Sequence, residues 1–421
     1  MLNWCIPHGM LITDGDEWKS QRATFNPSFH WNVVRNTQDH IFEEVQITSE
    51  ICDEHVNNST PVDIALYMET LTLDVLGKLG FNINFNAQRD PKWRDAMRRI
   101  MIQSANRAFN PLAAITQRSE RKQSWLDYYM LNDEIRKVYD ARLNDGIDDT
   151  DTDLLAQMQR AEDAGAEWVT KYTNGDKWAQ YRDQMGLFLF AGSDTTSSLL
   201  TSTIYMLARH PEYRKKVQSE LDKYIDPIKQ PGADECSHLP WLNAVIKETL
   251  RLRPSVSMNG RRCFKSLTLP SGQQITPQMN LLCLIYTLHR NTDVWGEDAE
   301  QFVPERWLQR DEYTDELILD ENNEPQLEVR QPHKNKSIPF STAYIPFAGG
   351  NRNCIGQNLA RLEASVSMAI LLRRFEFTIP DDKLDREPAF ETAITMQYTE
   401  GLPMNVSRRC DRWKVDENIK Y

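Results

Sequence analysis

The ten residues Phe347-Ala-Gly-Gly-Asn-Arg-Asn-Cys354-Ile-Gly356 constrain this chain more than any other stretch. They set a cysteine just ahead of a helix whose apolar residues Leu359, Leu362, Val366 and Ile370 keep helical spacing. The helix N-terminus carries positive partial charge, which favours a thiolate over a thiol. Glycines 349, 350 and 356 let the backbone approach a flat, bulky partner and free amide N–H groups to bond the sulfur. Arg352, two residues before the cysteine, is placed to pair with an anionic group at the partner's edge. A buried cysteine in a glycine-rich turn is the plainer reading, and these three features press against it.

The remaining composition narrows the class. The 421 residues carry 49 Lys+Arg against 61 Asp+Glu, a net charge of −12, with 40% hydrophobic residues. Such a chain is globular, and without a basic stripe to displace counterions it is no nucleic-acid binder. The longest apolar run, Leu281–Leu288, falls far short of the roughly 18–20 residues that span a bilayer, and mean hydropathy is −0.60. Seven cysteines, an odd number, do not make a secreted disulfide framework, and Met1–Gly9 is no signal peptide. These features describe a soluble, acidic protein of a reducing compartment.

Helical patterning dominates. Residues 31–80 read as amphipathic helix interrupted at Asn57–Pro61, and 144–176 read as an acidic surface crossing. The longest helix is expected over 179–210, roughly 48 Å long, and ends at Arg209-His210-Pro211 because proline cannot continue the ladder. Short strands are expected at Leu267–Leu269, Gln274–Ile275 and Asn280–Leu284, a long charged surface loop at 310–337, a helix at 357–375 and a hairpin around Glu400-Gly401. There is no internal repeat, so residues 1–421 read as one domain.

A planar metal macrocycle bearing carboxylates would suit the cysteine loop, and thiolate-ligated haem is the known example. The loop matches the cytochrome P-450 signature F-x-x-G-x-R-x-C-x-G at every fixed position. Chance would supply those five residues about once in 10⁷ starts. Three further segments follow in that family's order. Glu248-Thr-Leu-Arg251 resembles its E-x-x-R motif, Phe302-Val-Pro-Glu-Arg306-Trp307 its F-x-P-E-R-W segment, and Trp18-Lys-Ser-Gln-Arg22 its W-x-x-x-R helix.

The resemblance implies a mainly α (α+β) cytochrome P-450 fold, helix-rich with a small β-rich region. It makes Cys354 the axial ligand of haem b iron, with Phe347, Gly350 and Gly356 shaping the loop. A buried Glu248–Arg251–Arg306 triad would lock the core near the loop. Trp18, Arg22, Arg261 and Arg352 would hold the two haem carboxylates by charge-assisted bonds.

Phe190-Ala-Gly-Ser-Asp-Thr-Thr196 puts poor helix formers at the centre of an apolar helix, a local rule broken with no structural gain. The segment resembles the family's A/G-G-x-D/E-T-T/S motif. Gly192 would then clear space over the haem, Thr195 would hydrogen-bond the oxygen being activated, and Asp194 would relay protons. Haem-thiolate isomerases and dehydratases commonly depart from this acid–alcohol pair, and monooxygenases keep it. By the same resemblance Phe190, Val256, Met258 and Met396 would line the substrate pocket.

The run Glu248-Thr-Leu-Arg-Leu-Arg-Pro-Ser-Val256 and the 310–337 insert resemble fungal alkane and fatty-acid hydroxylases, although Ser257-Met258 departs from their pattern. A fungal secondary-metabolite hydroxylase is equally compatible. No flavin or nicotinamide fingerprint is present, so electrons are expected from an NADPH-dependent cytochrome P-450 reductase docking on a locally basic patch that includes Lys19, Arg22 and Arg361. The resemblance further implies a monomer at the endoplasmic reticulum surface acting on a hydrophobic small molecule. Family members carry about 100 residues ahead of the W-x-x-x-R helix, whereas 17 precede Trp18 here. The anchor, first helix, opening strands and pocket-roofing loop are therefore expected to be missing. A non-catalytic remnant is the rival reading from another class.

Overall fold

A computed structural model describes residues 4–109, 116–148, 150–226, 229–309, 317–320, 325–327, 337–392 and 395–409. Its main helices are α1 (Gly15–Phe25), α2 (Gln38–Asn58), α3 (Ile64–Phe81), α4 (Lys92–Phe109), α5 (Arg118–Asp145), α6 (Leu154–Asp163), α7 (Lys177–Arg209), α8 (Pro211–Tyr224), α9 (Pro240–Leu252) and α10 (Gln357–Arg374). Side-chain caps and prolines set several boundaries. Asp63 starts α3 by accepting from the amides of Ala65 (3.1 Å) and Leu66 (3.4 Å), Asp176 starts α7, and Pro211 and Pro240 open α8 and α9.

Helix α7 is the axis of the molecule. Its Tyr181–Phe190 half packs into an apolar cluster shared with α1, α4, α5 and α6. From Leu199 onward it joins a second cluster with α2, α8, α9 and α10. The seam between the clusters falls at residues 191–198, the stretch rich in hydroxyl side chains. Polar residues are tolerated there because neither cluster needs their apolar surface.

Strands are short: β1 (Val62–Asp63), β2 (Met258–Arg262), β3 (Leu267–Thr268), β4 (Gln274–Ile275), β5 (Asn280–Leu284), β6 (Phe375–Thr378), β7 (Phe390–Thr392), β8 (Met396–Tyr398) and β9 (Pro403–Arg408). They form one three-stranded sheet, β1-β9-β6, and three antiparallel pairs, β2-β5, β3-β4 and β7-β8. The fold is mainly α with small β-sheets.

Two expectations need correction. The Glu400-Gly401 turn closes no hairpin, since β8 pairs with β7 while β9 pairs with β1 and β6; Gly401, at φ +71°, hands the chain from one sheet to another. The acidic 144–176 segment is also more than a surface crossing. It contains α6, capped by Asp153, whose Leu154, Leu155 and Met158 are buried with Trp168 and Val169. Most of 310–337 lies outside the described residues; within it Leu327 bridges Leu308 and both Leu317 and Leu327 pack on the core.

Candidate active site

The cysteine loop is held open by its backbone. Ala348 (φ +58°) and Gly350 (φ +72°) adopt left-handed conformations, and Gly350–Arg352 make a tight 3₁₀ turn. The Cys354 amide donates to the Phe347 carbonyl at 2.9 Å, closing the loop on itself. A Cβ added at Gly350 would meet nothing within 4 Å, and Cys354 is exposed although α10 behind it is buried. The protein atoms around the cleft push the Cys354 thiol up even though its sulfur is open to solvent, and the Gly356 amide and the Arg22 guanidinium pull it down. A metal ion bound at the sulfur would remove that proton outright.

Cations gather beside the sulfur. Arg22 donates to the Asn353 carbonyl at 2.8 Å and to its Oδ1 at 3.0 Å. Arg352 donates to the Thr13 carbonyl (2.6 Å) and Asp14 (2.7 Å), and its guanidinium lies 4.3 Å over the Trp18 ring. Among the described residues, the side chain of Arg261, exposed on β2, bonds its neighbours Asn259 and Gly260. Burial holds Arg352 below the usual guanidinium range, and Arg261 and Arg22 push it further while Asp14 opposes them. Three guanidiniums thus share a neighbourhood in which Asp14 opposes Arg352 and Cys354 opposes Arg22, so the cluster has capacity for further carboxylates.

Glu248 organises the buried network on α9. One carboxylate oxygen accepts from Arg251 (2.8 Å), the Val303 amide (2.9 Å) and Arg306 (3.3 Å), and the other accepts from Arg251 and Trp307, both at 2.9 Å. Glu248 and Arg251 are fully buried. Arg251 also donates to the carbonyls of His289, Ala299 and Gln301.

On α7, Ala191 is exposed while Leu189, Phe190 and Ser193 on either side are buried. Thr195 shares its face, one turn on, and donates to the Ala191 carbonyl at 2.8 Å. Gly192 does not. A Cβ there would lie 2.5 Å from Leu76 Cδ2, so this glycine serves the close approach of α3 to α7 and clears no space on the open face. The same contact is tied by Thr72, whose hydroxyl donates to the Ser193 carbonyl at 2.9 Å.

Asp194 is bonded by the Thr395 hydroxyl and the Gln397 amide. Burial pushes its pKa up to about 7, with Glu69 adding and Arg98 opposing. It lies with Glu69, Arg94, Arg98, Phe190 and Ser197 along a narrow cleft between α3, α4 and α7 of about 30 Å³.

Of the proposed pocket residues, Phe190 and Met396 are buried, while Val256 and Met258 are half-buried. Phe190 faces the polar cleft, and the Met396 amide donates to the Ser255 carbonyl at 2.8 Å. Ile394, two residues before Met396, lies outside the described residues. Sequence reasoning missed Glu69 and Arg98 beside Asp194, and His289; it read Thr395 and Gln397 as part of the pocket-wall segment around Met396 and not as partners of Asp194. Nothing in their local sequence marks them.

The donor set suits one prosthetic group. Among the described residues, no three His, Cys, Asp or Glu side chains gather to hold a metal ion. An iron at the single open sulfur of Cys354 would need a macrocycle to fill its other positions. Open glycine backbone and three arginines fit the flat face and carboxylate edge of haem. No helix of the described residues is long and apolar enough to cross a membrane.

Comparison with known proteins agrees with this chemistry. The family model described as Cytochrome P450 matches residues 5–401. The chain is 28% identical over 411 residues to cytochrome P450 4F4 of Rattus norvegicus, covering 94% of this chain and 73% of that protein. It is 27% identical over 413 residues to leukotriene-B4 omega-hydroxylase 3 of Mus musculus, with the same coverage. Cytochrome P450 72A15 of Arabidopsis thaliana is 27% identical over 385 residues, 89% of this chain and 68% of that one.

Proposed function

The chain belongs to the cytochrome P450 family and is a monooxygenase; from that premise we propose that it hydroxylates a hydrophobic, acyl-chain-like small molecule. The observation that carries the site assignment is the open Cys354 sulfur beside the Arg22–Arg261–Arg352 cluster. Haem, when bound, supplies the iron at which dioxygen is reduced and one oxygen atom passes to the substrate. Cys354 would ligate its iron, and Trp18, Arg22, Arg261 and Arg352 would hold its carboxylates.

Asp194 holds and releases a proton. With a pKa of about 7 its carboxyl is near half-protonated at neutral pH, the condition for a group that must both take up and give back protons. Glu69 and Arg98 bias that affinity in opposite directions from α3 and α4. Thr195, on the open face of α7, orients what binds there. This retained acid–alcohol pair favours oxygen insertion over peroxide rearrangement.

A relative named for ω-hydroxylating leukotriene B4 supports an acyl-chain substrate, as does the resemblance to fungal alkane and fatty-acid hydroxylases. Electrons would come from NADPH through a flavoprotein reductase docking near Lys19, Arg22 and Arg361, at the endoplasmic reticulum surface. The test is to load the chain with haem, record the carbon monoxide difference spectrum after reduction, and supply reductase, NADPH and a series of fatty acids. A thiolate-type spectrum with hydroxylated product is expected. A thiolate spectrum with peroxide rearrangement and no NADPH-dependent product would overturn the reading.

A further inference from the structure

We propose that His289 is the positioning residue that transmits the rigidity of the Glu248–Arg251 network to the Cys354 loop. The inference rests on the reading of Cys354 as the haem ligand.

The network itself does not touch the loop. Among the described residues, the hydrogen bonds of Arg251 and Arg306 go to Glu248, to Asp298 and to carbonyls of His289, Asp298, Ala299 and Gln301. Trp307 packs its ring on Tyr344 at 4.6 Å, and the His289 ring adds a direct hydrogen-bonded link to the backbone of the next residue, Ile345. Its Nδ1 is 3.2 Å from the Arg251 carbonyl, and its Nε2 is 2.9 Å from the Ile345 amide nitrogen. Its own carbonyl takes a bond from Arg251 at 2.8 Å. From Ile345 the path to the sulfur is short: Ile345 accepts from the Ala348 amide (3.0 Å), and Phe347 accepts from the Cys354 amide (2.9 Å).

The partners also determine the tautomer. A backbone amide can only donate and a carbonyl can only accept, so the proton must sit on Nδ1 and Nε2 must be bare. A second proton would set N–H against N–H at Ile345 and break the link. The surroundings oppose that proton. His289 is fully buried, stacked on Tyr344 at 5.2 Å and edge-on to Trp295, with Arg251 and Arg290 as the facing charges. Burial and these two cations hold its pKa down at about 3, although hydrogen bonds to the Arg251 and Leu250 backbone pull upward.

The experiment uses the full chain as H289N, H289Q and V217A. Glutamine can still offer an acceptor near the Nε2 position, whereas asparagine is too short. Val217, buried in α8 away from the loop, is a control for general loss of stability. Two quantities are read: hydrogen exchange of the Ile345 amide without haem, and the thiolate-bound share of haem in the reduced carbon monoxide spectrum, at matched global stability.

H289N should exchange Ile345 roughly tenfold faster, about what one lost buried hydrogen bond changes an equilibrium, and should lose thiolate share. H289Q should recover toward wild type, and V217A should move neither quantity. An H289N protein indistinguishable from V217A in both would overturn the proposal. Should H289N not fold, the wild-type acid titration decides. Thiolate share and Ile345 protection should fall together while α8 amides stay protected, and loss only in a single global transition would overturn it. A thiolate spectrum surviving C354S would remove the ligand assignment instead, leaving the exchange result to stand.

Discussion

Replacing Glu248 by glutamine should destabilise the protein by about 3–5 kcal/mol, the cost of breaking a buried ion pair by removing one partner's charge. The geometry shows why a near-isosteric change is so costly. Five donors converge on the two carboxylate oxygens, three on one and two on the other. A glutamine keeps a single acceptor oxygen, and its amide nitrogen must face either the Arg251 Nε–H and Trp307 N–H pair or the other three. At least two buried donors are left unpaired, each costing about 1–3 kcal/mol, and two guanidiniums lose their shared counter-charge. Against a typical stability of about 5–15 kcal/mol, that leaves a protein near its unfolding threshold at 37 °C. Urea unfolding of the haem-free chain, followed by far-UV circular dichroism, gives the difference from the shift in midpoint at unchanged slope. A loss below about 1 kcal/mol would refute the argument, because water or a rearranged loop would then be satisfying the donors and the carboxylate charge would not be what holds Arg251 and Arg306.

Cys354→Ser should abolish the thiolate haem spectrum, while serine at Cys5, Cys52, Cys236, Cys263 or Cys283 leaves it, because a neutral alcohol is no substitute for a soft anionic sulfur. Asp194 has a folded pKa of about 7 against 3.8 unfolded, so it holds its proton while the unfolded chain ionises, and its contribution is lost as pH rises through that window. The stability of D194N relative to wild type should therefore grow by up to about 1.4 kcal/mol per pH unit between pH 4 and 7, and a flat difference in urea midpoints would contradict it. His289 runs the other way: its folded pKa of about 3 lies below 6.5, so the unfolded state binds the extra proton and stability falls as pH drops from about 6.5 toward 3. H289Q should lack that part of the acid sensitivity in a melting series. Thr195→Ala should keep haem and substrate binding but divert NADPH-derived electrons to hydrogen peroxide, measured against product; full coupling in the variant would remove Thr195 from the chemistry.

By itself the sequence determined whatever is encoded in short, ordered spacing. The cysteine loop, the Glu248–Arg251 turn, the long helix ending at Pro211 and the polar insert in its middle were legible, because glycine, proline and i, i+3 or i, i+4 placement act over a few residues. Those features were enough to read the family and the mainly α fold. Tertiary structure decided where each group faces. Gly192 packs against Leu76 instead of opening the site, since the rotation of α7 is set by its packing on α3. Asp194 turns to Thr395 and Gln397, some 200 residues away in sequence, and its proton affinity follows from burial, which no local motif records. His289 carried no signal at all: a lone histidine becomes a link only when folding brings the Arg251 carbonyl and the Ile345 amide to its two nitrogens. Spacing along the chain specifies which chemistry is present, but desolvation and hydrogen-bond partners are properties of three-dimensional neighbours, and these exist only once the helices have packed.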